Sequence, residues 1–222
     1  MRLTKIISAV LCTAMVFSLT GCFGGSKISP DKVASYAEDN EAEVYDKAKK
    51  YVSFLEDIKK DGNHSDLKNG VVITLEGKDI KTVFSNSAIC ILPIIKNFYD
   101  KDMTQAVVYC KGNVKDNDGH VEYIYSAVFE DEDAAEDYFE SLHKGIQPNA
   151  SVKTAKNDDG EEDGIEYSVM TVVDGSESAG VGAYRDGKTV MLIVAYGHND
   201  TKGLSVVDGY CEDFGLHLIS DV

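Results

Sequence analysis

Basic residues are scarce in this 222-residue chain: 22 lysines and arginines stand against 38 aspartates and glutamates, a formal charge of −16. Nucleic-acid binding rests on Lys and Arg contacts to phosphate, so that partner is excluded. A face that holds an anionic membrane by charge is excluded for the same reason. Tryptophan is absent, and twelve tyrosines supply most of the aromatic content. Tyrosines can line a groove, but on strands and helix stripes they read as core residues with their hydroxyls at the surface. No apolar run reaches the ~20 residues of a membrane-spanning helix. The sequence has no CxxC pair, no Cys/His metal spacing, no Gly-rich phosphate loop and no Gly-x-Ser-x-Gly elbow. Gly175-Ser176-Glu177-Ser178-Ala179-Gly180 comes nearest to the last and reads as a turn between strands. The paired carboxylates of sugar hydrolysis cannot be singled out among so many acids. The sequence therefore assigns no catalytic residue, no metal ligand and no cofactor.

What is present begins at the N-terminus. Arg2 and Lys5 precede an apolar stretch from Ile6 to Leu19, interrupted by Ser8, Thr13 and Ser18. That layout is a secretory h-region. It closes on Leu19-Thr20-Gly21-Cys22, which resembles the lipobox of bacterial lipoproteins. The resemblance implies that residues 1–21 are a signal peptide, that the Cys22 thiol carries a diacylglycerol group, and that the chain sits lipid-anchored on the extracytoplasmic face of the cell membrane. Two acyl chains hold where one binds only reversibly. Phe23-Gly24-Gly25-Ser26-Lys27 then forms a flexible spacer within residues 22–29. Without the leader the chain has 20 basic and 38 acidic residues, a charge of −18. The acyl chains, not charge, must do the anchoring. Three cysteines remain for the domain, Cys90, Cys110 and Cys211, enough for at most one internal disulfide.

Residues 30–222 are expected to form one α+β domain, a mainly antiparallel sheet with packed helices, preceded by a long amphipathic helical segment over 30–62. Ser29-Pro30 starts that segment as cap and first turn. Ala37, Val44, Ala48, Tyr51, Leu55 and Ile58 give its apolar stripe, with a break near Asn40. Val71–Leu75 and Ile80–Phe84, around Glu76-Gly77-Lys78-Asp79, read as a hairpin. Pro93 places the start or kink of a helix in 87–99. Strands are predicted over 105–110 and 121–129, the second with one buried face and with Glu122 and Ser126 on the other. An acidic start at Asp131-Glu132-Asp133 opens a helix that Gly145 ends. A polar loop, strands over 165–173, 180–185 and 189–196, and a final helix after Thr201 complete the chain. Val190–Tyr196 is apolar on both faces and is placed centrally in the sheet. Ala135, Tyr138 and Leu142 repeat as Leu204, Val207 and Cys211 at a shift of 69, either an old duplication or two similar packing solutions. The element order is loosely similar to that of small PsbP-like lipoprotein domains.

Two candidate ligand sites are visible. The acids from Asp158 to Asp163 could hold calcium on a flexible loop, but the spacing puts Glu162 where an EF-hand needs glycine, and a solvated loop is the plainer reading. The histidines, His64, His120, His143, His198 and His217, include no two within five residues. His198, just past the apolar strand, is the most suggestive. The chain thus reads as a membrane-anchored, non-catalytic binding or envelope-associated module, with the bilayer, an envelope protein or a cationic ligand as partner. The alternatives are an envelope enzyme whose site is assembled only in three dimensions, or a transporter-associated ligand-binding lipoprotein.

Overall fold

The computed structural model describes residues 26–61, 67–86, 99–113, 120–147, 154–174, 177–198 and 202–222. The leader, Cys22, His64, Cys90 and the expected helix near Pro93 lie outside them. In chain order the elements are α1 (Pro30–Asp39), β1 (Glu43–Tyr45), α2 (Ala48–Asp61), β2 (Val71–Glu76), α3 (Lys78–Phe84), β3 (Met103–Asn113), β4 (His120–Phe129), α4 (Glu132–Ile146), β5 (Ala155–Glu162), β6 (Ile165–Asp174), β7 (Glu177–Asp186), β8 (Thr189–His198) and α5 (Lys202–Phe214). All the strands join one sheet in the order β1-β2-β3-β4-β8-β7-β6-β5. Among the described residues only β1 and β2 pair in parallel. The class is α+β and mostly antiparallel, as the sequence predicts. A single continuous sheet is not the two-lobed arrangement a hinged transporter protein would need.

The sheet is covered on both faces. Under α2, α3 and α4 lie Val108, Cys110, Tyr123, Tyr125, Leu192 and Val194, among others. Under α1, α5 and residues 215–222 lie Val107, Tyr109, Ile124, Met191, Ile193 and Ala195. Alternate residues of one strand thus feed two separate cores, which is why β8 reads as apolar throughout. Cys110 and Cys211 are both free and buried, in opposite cores. The sheet between them rules out a bridge.

Four local expectations are corrected. The 30–62 segment is not one helix: α1 ends at Asp39, and β1 intervenes with Val44 56% exposed. The break falls at Asn40, as expected, and Ser29 caps α1 by accepting from the Lys32 N–H. Residues 78–84 are a helix rather than the second arm of a hairpin. Ile80, Val83 and Phe84 stand at i, i+3 and i+4, the helical spacing, and Gly77 turns the chain at φ 54°. Gly145 does not stop α4, which runs to Ile146 from the Asp131 cap. Finally, β4 is buried on both faces: Glu122 is 3% and Ser126 0% exposed. The repeat at a shift of 69 has no symmetry behind it. Val121 and Val190 face the same core, yet α4 and α5 lie on opposite faces.

Candidate functional site

The acidic stretch around Asp158 is not a loop. It is edge strand β5, paired along its length with β6 through the turn Asp163-Gly164. Both turn residues have positive φ, 53° and 80°, the geometry of a tight two-residue hairpin. Strand alternation then divides the acids. Asp158 and Glu162 fall on the α5 side of the sheet, Asp159 and Glu161 on the other. A single cation cannot collect oxygens from both faces, and the calcium reading fails on that ground.

Asp158 and Glu162 meet His217 instead. Residues 215–222 follow α5 and cross the sheet in a trough. Gly180 and Gly182 of β7 leave that trough open, and Ile219 fills it: a Cβ on either glycine would come within 3.2 Å of Ile219. The Tyr184 hydroxyl donates to the His217 carbonyl at 2.8 Å and lies 3.1 Å from the Cys211 sulfur. These contacts set the His217 ring against Tyr167, stacked at 3.9 Å between centroids and 8° between planes. Tyr167 can lie there because Gly160 stands opposite it on β5; a Cβ at Gly160 would sit 2.9 Å from the Tyr167 hydroxyl oxygen. That hydroxyl donates to Asp158 at 3.2 Å. Loss of water around the ring, then this bond, raises the Tyr167 pKa.

The imidazole lies between two carboxylates, with Nδ1 2.9 Å from Glu162 and Nε2 3.7 Å from Asp158. A cleft of about 240 Å³ opens beside it, lined by Glu162, Asp163, Tyr167, Tyr184, Gly215 and His217 among others. At its lip the Lys27 ammonium lies 3.6 Å from Asp163. Because the carboxylates face opposite nitrogens, they cannot share one metal ion with the ring, and no metal-holding group occurs among the described residues. Among the described residues the ring reaches no nucleophile. Nε2 faces Asp158, and burial pushes the nearby Cys211 thiol up to about 12. The chemistry on offer is recognition of positive charge by carboxylates and ring faces.

A second polar cluster lies deep on the same side. Tyr210 of α5 donates its hydroxyl to Glu122 of β4. Tyr36 of α1 packs edge-on against Tyr109 and Tyr210. Burial, then the Glu122 charge, raises the pKa of Tyr210 and of Tyr109. Burial, then Asp213, pushes Tyr36 up to about 12. This cluster fastens α1 and α5 to β3 and β4.

His143, His120 and His198 sit elsewhere on the sheet and its helices. His143 of α4 lies on the opposite face, 3.0 Å from buried Ser168. His120 and His198 mark the far end of their strands. Sequence reasoning missed His217 and Glu122. One signal for His217 was legible: the Asp163-Gly164 dipeptide turns the acidic run into a hairpin and puts Asp158 and Glu162 on one face.

No family model matches the chain, and no curated protein matches it. Among solved structures the chain is similar to the extracellular domain of PknH from Mycobacterium tuberculosis, at 14% identity and a TM-score of 0.36, over 55% of this chain and 66% of that one. The overlap spans less than two thirds of that domain and is too slight to argue from.

Proposed function

We propose that this protein is a lipid-anchored lipoprotein on the extracytoplasmic face of the cell membrane, and that its domain is a non-catalytic binding module whose His217 cleft takes a cationic group. The anchor rests on the leader and the Leu19-Thr20-Gly21-Cys22 run. Among the described residues no helix is long and apolar enough to cross a membrane. The observation that carries the binding half is Lys27: an ammonium of the chain itself rests against Asp163 at the cleft lip.

Two experiments test the two halves. Cys22→Ala should leave an uncut precursor without lipid; normal processing and membrane retention of that variant would refute the anchor. A short lysine-rich peptide titrated onto the anchored protein should move the His217 ring resonances, and Asp163→Asn should weaken the effect several-fold. No movement at millimolar peptide would refute the cleft.

A further inference from the structure

The point where the domain meets its tether fixes which end faces the membrane. Ile28 is fully buried, and its carbonyl accepts from the Ser126 hydroxyl near the end of β4. Asp31 accepts from Gln105 near the start of β3. Lys27 reaches Asp163 in the β5–β6 turn. All three attachments are at the same end of the sheet, where β3, β6 and β8 begin and β4, β5 and β7 end. From Cys22 to Ile28 the chain can span at most ~20 Å. The ten-residue strands run ~30 Å to the opposite end.

We propose that this end, bearing the Asp163-Gly164 and Gly187-Lys188 turns and the Asp131 cap of α4, faces the bilayer, so that the His217 cleft lies at headgroup level. The proposal rests on the lipid anchor at Cys22. Asp131, Glu132, Asp133, Asp163 and Asp186 make this end acidic, and Glu132 comes within 3.9 Å of a Cβ built on Gly187. The surface it fits is one of zwitterionic lipid; anionic lipid repels it over about a Debye length, ~8 Å at physiological salt.

The absence of tryptophan makes the test direct. Glu132→Trp and Val173→Trp each place one indole on an exposed position, at the near end and the far end. The lipidated full chain is inserted in phosphatidylcholine vesicles carrying a nitroxide on the headgroup. Glu132→Trp should be quenched several-fold more than Val173→Trp. Replacing part of the lipid with phosphatidylglycerol should reduce quenching at Glu132→Trp, and high salt should restore it. Inserting ten Gly/Ser residues after Ser26 should erase the difference between the two sites. Equal quenching in the unmodified tether, or stronger quenching at Val173→Trp, overturns the orientation while leaving the anchor intact. Failure of the unmodified protein to float with the vesicles, with no lipid mass on Cys22, overturns the anchor itself and the orientation with it.

Discussion

Ile219→Ala tests how the cleft is held together. Ile219 is fully buried, pressed into the trough over Gly180 and Gly182 and against Val207's surroundings in the α5 core. The substitution removes three buried carbons, worth about 2.4 kcal/mol at ~0.8 kcal/mol each. A rigid site would add a cavity cost, bringing the total into the range of about 2–5 kcal/mol for Ile→Ala changes. This residue is on the segment that follows α5 and belongs to no strand, however, and such a segment can lift off without unfolding the sheet. Its other restraints include the Leu216 N–H to the Cys211 carbonyl at 2.8 Å, the Ser220 N–H to Asp208 at 3.1 Å, Tyr184 to the His217 carbonyl, and the His217 ring against Glu162 and Tyr167. Taking 2.4 kcal/mol from the docked state shifts the docking equilibrium by about 50-fold. The expected outcome is local: faster amide exchange at Leu216 and Ser220, and loss of the Tyr167 ring-current shift on His217. The urea midpoint should fall by less than the full cost. Unchanged tail exchange and an intact ring shift, with the whole loss appearing in the urea midpoint, would refute the reasoning. So would no loss at all.

Three further outcomes follow from the buried polar and glycine positions. Glu122→Ala removes the acceptor of the buried Tyr210 hydroxyl and should cost about 1–3 kcal/mol by urea melting, whereas Glu122→Gln should recover most of it. Gly70→Ala places a Cβ 2.6 Å from the Tyr109 ring at φ 86°, and should lower the thermal midpoint by several degrees. Burial pushes the Cys110 and Cys211 thiols from the ordinary 9.0 up to about 12. Both stay neutral in the folded chain while the unfolded chain ionises, so the stability they contribute is complete below pH 9 and is lost between about pH 9 and 12. In a Cys90→Ser background neither should react with a thiol reagent at pH 8 until urea unfolds the protein.

The parts of the fold that the sequence made legible are those with a clean period. The Val190–Tyr196 run demands cover on both sides, and β8 lies between β4 and β7 with a core on each face. The Ser29-Pro30 start and the Asp131 cap form as their chemistry dictates. Short or polar elements were not legible. In 78–84 one helical turn of apolar residues competes with a strand pattern, and Gly77 decides for the helix. β5 carries no strand-forming residues at all; it is a strand because β6 pairs with it. Glu122 and Ser126 read as solvent-facing because alternation reports polarity, not what lies above it. Here α1 and α5 lie above it, and Tyr210 and the Ile28 carbonyl supply the partners. For His217 the one signal lay in its partners: the Asp163-Gly164 turn puts Asp158 and Glu162 on one face, more than fifty residues before the histidine.

The acidic edge has a consequence for the company the molecule can keep. Among the described residues β5 leaves one side of its backbone unpaired, a template for another strand. A second copy docking there would bring carboxylates against carboxylates on both faces of the new sheet, Asp159 and Glu161 on one, Asp158 and Glu162 on the other. Like charges facing one another across a strand pair oppose the pairing. At neutral pH and moderate salt the edge therefore rejects its own kind, and crowding alone does not turn single domains into a growing ribbon. Acid or concentrated salt removes that protection.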